Sequence, residues 1–146
     1  MGRTGTGKRI LRAAAALTAV SGFLADWNET HIFNPNWPPH AKFHDVQTVL
    51  VALLLGTSGL YFLRQKEGDE ALQLKVGALL PALLWISQGG SFLFPGAGGM
   101  DTEFPHTTPK IGGVYINERV SSSLMLLLIG VGYALERRDT RERRRR

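Results

Sequence analysis

Three of the chain's four histidines fall in one stretch, DWNETHIFNPNWPPHAKFHD (residues 26–45), together with Asp26, Glu29, Asp45, three prolines and two tryptophans. Imidazole titrates near neutral pH, so these rings can serve as general acids or bases, and a neutral ring nitrogen can bind a metal. His40 and His44 are four residues apart. The residue before a proline is biased toward extended backbone, which keeps Asn34 and Trp37 out of a helix, whereas Pro38 or Pro39 suits a first helical turn. A helix starting there puts His40 and His44 on one face with Gln47 beside them. Such a pair holds a divalent metal once a third ligand arrives, and Asp26, Glu29, His31 or Glu118 are the candidates. Without a metal, His40 or His44 would act as general base or acid and Glu118 would stabilise developing positive charge. His31, with Glu29 or Asp26, would then orient the substrate. The structural alternative is an interfacial loop whose His and Trp tips hydrogen-bond at headgroup depth.

The elements that must position these groups are apolar. Residues 46–63 and 76–94 carry no charge, and each run is long enough to cross a bilayer core of roughly 30 Å. A shorter run covers 13–25, and a fourth, 120–135, extends backwards to Gly112. A soluble bundle needs a polar stripe on every helix, and the second and third segments offer only Gln, Thr, Ser and Gly. The expectation is an all-α, integral membrane four-helix bundle forming one domain over 1–146. Its helices run about 10–26, 39–64, 71–94 and 112–136, with two extracytoplasmic loops and a basic tail at 137–146.

Charge orients it. Of the 17 Lys and Arg, only Lys42, Lys110 and Arg119 fall outside the N-terminal flank, the link between the second and third helices, and the tail. The positive-inside rule puts both termini in the cytoplasm of a multi-pass cell-membrane protein, with 26–45 and 95–112 outside. The tail ERRDTRERRRR reads as a topology anchor touching anionic lipid, not as a nucleic-acid arm. No cysteine is present, so disulfides and thiolate metal ligands are excluded. Near the start, Gly2, Gly7 and Lys8 have phosphate-loop spacing, but Arg9 replaces the Ser or Thr and no strand precedes it. The first helix also resembles a secretory signal, with Ala19 and Ser21 at cleavage-like spacing.

A fourth helix beginning near Gly112 would place Asn117, Glu118 and Arg119 one to two turns inside its outer end, where charge is costly and faces a polar cavity or partner. Glu118 is the expected inward group. The third helix adds Trp85 and Gln88 beside Gly89 and Gly90, with Pro81 as a kink. The loop PGAGGMDTEFPHTTPKIGG, holding Asp101, Glu103 and His106, reads as a lid or a solvated connector.

Through THIFNPNWPPHAKFHD the chain resembles an uncharacterised group of small four-span membrane proteins of bacteria and fungi, some labelled acetyltransferase, although no acyl-carrier motif is present here. Its layout is more distantly similar to DoxX-like proteins and to the sterol-isomerase and sigma-two receptor superfamily. That likeness implies a compact bundle with acidic or histidine groups around a membrane-embedded pocket, and for some members proton transfer on a lipid double bond. The leading reading is therefore an outward-facing His/carboxylate pocket for a small lipophilic molecule. Asn34, Trp37, Gln47, Trp85, Gln88 and Asn117 would join Asp26 and Glu29 in lining it. The rivals are a metal-dependent membrane enzyme using His40 and His44, and a non-catalytic subunit docking a larger membrane protein through glycine-rich helix faces.

Overall fold

The computed structural model describes residues 5–145; Gly2 and Arg3 of the basic flank, and Arg146 of the tail, lie outside the described residues. The elements are α1 (Thr6–Asp26), α2 (Pro39–Arg64), α3 (Glu70–Ser91), a single turn α4 (Met100–Glu103), β1 (Lys110–Ile111), β2 (Val114–Tyr115) and α5 (Glu118–Arg145). The four long helices pack in cyclic order α1, α2, α3, α5, with a slimmer diagonal contact between α1 and α3. Neighbours run antiparallel. Arg12 donates to the Leu63 carbonyl at 3.1 and 2.8 Å, while Gly22, farther along α1, faces Val49, earlier in α2.

Small residues let the backbones approach. A Cβ on Gly56 would strike the backbone of Ala15 and Ala19, one on Gly7 would meet Gly132 and Glu136, and one on Gly59 would meet Gly77 and Pro81. Close crossings of this kind serve helices in lipid, where packing substitutes for the missing hydrophobic drive between helices. The core that results is built from Leu11, Ala14, Ala15, Ala52, Leu63 and Ile129, so α1 contributes as fully as the more apolar helices. Two polar ties stitch it. The Trp85 indole donates to Thr18 Oγ1 at 2.9 Å across the diagonal, and the buried Glu136 carboxylate accepts from the Lys8 backbone N–H at 3.0 Å. Gly5 offers no side chain to cap α1, so α5 supplies the acceptor and places a negative charge at the positive end of the α1 dipole.

The outer faces are greasy: Leu24, Leu54 and Leu127 are 72%, 64% and 64% exposed. Three helical stretches, Pro39–Arg64, Glu70–Ser91 and Glu118–Glu142, are long and apolar enough to cross a membrane. The apolar run of α1 is shorter.

The last helix departs from expectation at both ends. Residues 110–115 form an antiparallel hairpin, with Lys110 opposite Tyr115, because Gly112 and Gly113 take the positive φ values of 55° and 85° that a tight two-residue turn requires. The helix then starts at Glu118, where Asn117 Oδ1 accepts from the backbone N–H groups of Arg119 (3.1 Å) and Val120 (3.3 Å) as an N-cap would. Asn117, Glu118 and Arg119 therefore stand at the helix entrance, not one to two turns inside it. The length comes from the other end, where the expected tail continues as helix to Arg145 and Arg138 pairs with Glu142 at 3.4 Å.

Candidate functional site

At the end where α1 leads into α2, two turn-forming residues shape the loop. Asn28 Oδ1 accepts from the Thr30 N–H at 2.8 Å, and Asn34, buried, donates to the Thr30 carbonyl at 3.2 Å and accepts from the Asn36 N–H at 2.9 Å. The backbone N–H of Ile32 returns to the Asp26 carbonyl at 3.2 Å. This folds His31 back over the end of α1, where Trp37 meets its ring edge-on at 5.3 Å.

Asp26, His31 and Asp45 converge there: one ligand-type atom from each lies within 4.8 Å of the other two, and all three residues are half-buried. His31 Nε2 is 3.7 Å from Asp26 Oδ1. The ring's tautomer follows from its other side. Asn28 donates through Nδ2 to the Ala25 carbonyl, so its Oδ1 is an acceptor and takes the single proton of the Thr30 hydroxyl. Thr30 Oγ1 must then accept from His31 Nδ1–H at 2.8 Å, so it is Nε2, the nitrogen free to gain or lose a proton, that faces Asp26. Among the described residues, none donates a hydrogen bond to the buried Asp45 Oδ2.

Asp26 lies just past the apolar run 13–25, and its pKa is pushed up to about 6, above all by burial. His31 pulls it back down, while Asp45 and Glu118 raise it further. Glu118 thus belongs to the same electrostatic neighbourhood. Its carboxylate accepts from the Met100 N–H at 3.1 and 2.9 Å, and Asn117 donates to Asp101 at 2.7 Å, so the loop after α3 is tied to the start of α5. Gln88 donates to the Glu118 carbonyl and to Ser121 Oγ, both at 3.2 Å, and holds that first turn from α3.

The remaining expected residues fall elsewhere. His40 and His44 touch through their Nε2 atoms at 3.1 Å, with Gln47 Oε1 3.3 Å from His44 Nδ1, but all three are exposed on α2. Asp45 is the next residue along, turned about 100° around the helix from His44 and half-buried where His44 is exposed. Glu29 and His106 are exposed, and Trp85 is buried in the core on Thr18. The structure brings Asp26 and His31 together and adds Asp45; Glu118 acts on Asp26 only through its charge, its carboxylate being bonded to Met100, and His40 and His44 are not brought to the cluster. Asp45 had a readable signal. The buried α2 residues Val49, Ala52, Gly56, Gly59 and Leu63 step by three and four, and one step back from Val49 is Asp45.

Two open hollows, of about 370 and 390 Å³, lie at the opposite end of the molecule, along the final turns of α5. No curated protein and no solved structure matches the chain. Residues 10–146 match the family of unknown function DUF6640, and the chain belongs to that family.

Proposed function

We propose that this is a four-span integral membrane protein, termini in the cytoplasm, whose outer end transfers a proton to or from a small lipophilic molecule. The supporting observation is the convergence of His31, Asp26 and Asp45, with His31 Nδ1 held by Thr30 and Nε2 turned toward Asp26. In this reading His31 Nε2 takes the proton, Asp26 and Asp45 stabilise the resulting imidazolium, and Glu118 closes the site from α5. The greasy outer faces of the helices make the lipid phase the route of supply. The test is to purify the protein in mild detergent, identify co-purifying lipophilic compounds by mass spectrometry, and incubate them with protein in D₂O. Deuterium enters a C–H position with the wild type and not with His31→Gln. Equal incorporation by that variant, or no bound compound beyond bulk lipid, overturns the proposal.

A second reading puts a divalent cation on Asp26, His31 and Asp45. The buried Asp45 Oδ2, which accepts from none of the described residues, supports it, as does the hydrogen bond orienting the His31 ring from behind, a usual device of metal-binding imidazoles. Stoichiometric metal that disappears in Asp45→Asn but persists in the His40→Ala/His44→Ala double variant selects this reading. Loss in the double variant alone assigns the metal to the exposed pair, and metal-free protein removes both.

A further inference from the structure

The larger hollow lies between the start of α3 and the last turns of α5, about 390 Å³ in volume, and it is two-sided in chemistry. Lys75, Arg137 and Arg141 line it together with Leu72 and Tyr133. Among the described residues, the one acid on its lining is Asp69, engaged as the N-cap of α3 and accepting from the Ala71 N–H at 2.9 Å. Along α5, Tyr133, Arg137 and Arg141 follow at four-residue steps, so a single face passes from aromatic to cationic over about 12 Å. On α3, Lys75 stands about 7 Å inside the helix start, on a stretch apolar enough to span a membrane. Leu72, 57% exposed, continues the lipid-facing surface into the hollow.

Cations above an apolar wall, at the edge of the spans, match a phosphodiester headgroup with its acyl chains running down the helices. The geometry points to a site for an anionic phospholipid in this hollow. It is independent of the His31 cluster at the other end, and its occupant is a lipid with a net negative headgroup. An acidic peptide would leave the apolar wall unused, and a zwitterionic lipid would leave the three cations without a net partner.

The protein is purified in mild detergent and its thermal midpoint and lipid retention, by native mass spectrometry, are measured with phosphatidylglycerol, phosphatidylcholine and inorganic phosphate. Phosphatidylglycerol alone raises the midpoint and stays bound. The K75Q/R137Q/R141Q variant loses that effect, whereas R9Q/R64Q/K66Q, which removes three exposed charges at the same end but off the hollow, keeps it. Arg137→Gln by itself weakens phosphatidylglycerol binding about fivefold, which keeps the test decisive should the triple variant fail to fold. The inference is overturned if the hollow variants bind phosphatidylglycerol as the wild type does or the off-hollow variant loses it equally. It is equally overturned if phosphatidylcholine or inorganic phosphate reproduces the effect, or if the hollow proves to be filled by a second copy of the chain.

Discussion

Replacing Gly56 by alanine tests the packing on which the arrangement depends. The new Cβ would stand 2.6 Å from both the Ala15 carbonyl oxygen and the Ala19 Cα, and closer still to the Ala19 nitrogen. Relaxed carbon contacts need about 3.5 Å, so α1 and α2 must part by roughly 1 Å along their whole crossing. All three obstacles are backbone atoms, which cannot swing aside. Overpacking of this kind costs about 1–3 kcal/mol, against a gain of about 1 kcal/mol from alanine's better helix propensity. The expected net loss is about 0–2 kcal/mol, and it falls toward the upper end because the atoms that block the new Cβ are backbone. Gly130→Ala is the control, because a Cβ there meets nothing within 4 Å, and it should be neutral or slightly stabilising. Both are measured by unfolding in mixed micelles of rising SDS fraction. A Gly56→Ala protein as stable as the wild type, or a Gly130→Ala protein equally weakened, refutes the close crossing.

Three further outcomes are expected. Thr18→Val leaves the buried Trp85 indole N–H without its acceptor and costs about 1–2 kcal/mol, and a Thr18/Trp85 double-mutant cycle should show the two side chains to be coupled. Glu136→Gln removes the charge at the start of α1 and costs about 1–2 kcal/mol; hydrogen exchange should then open residues 6–9 first, and unchanged protection there would contradict the capping role. For Asp26, a folded pKa of about 6 against the ordinary 3.8 means that the folded state holds the proton more tightly. Its stabilising contribution is full below the lower value and lost as pH rises through the upper one. The wild type should therefore lose thermal stability relative to Asp26→Asn between pH 4 and 7, and parallel profiles would refute the assignment.

Much of the frame was legible because few forces compete in it. Charge-free runs mark α2 and α3, and Pro38-Pro39 sets the start of α2 where expected, at Pro39. The last helix does not reach back to Gly112, because turn chemistry overrides hydrophobic length there: Gly112-Gly113 is a hairpin signal and Asn117 a capping one. The site was half legible. His31 and Asp26 are neighbours in sequence, so loop closure alone brings them together. The eye-catching pair at His40 and His44 follows correct helical spacing, yet spacing says only that two residues share a face, not which face turns inward. The stripe of small and aliphatic residues from Val49 to Leu63 carries that information, and it selects Asp45. The reach of Glu118 depends on how α5 docks against α1, a long-range contact that no local pattern encodes.

The 28 residues of α5 form a rod of about 42 Å, longer than a bilayer's hydrocarbon thickness of roughly 30 Å. With no joint between its greasy and arginine-bearing portions, a thinner or thicker membrane cannot be met by bending the end away. The rod would have to lean, and since α1 is bound to it through Glu136 and the Gly7–Gly132 crossing, the two would lean together. In a bilayer, a change of thickness would thereby tilt α1 and α5 as one unit rather than either helix alone.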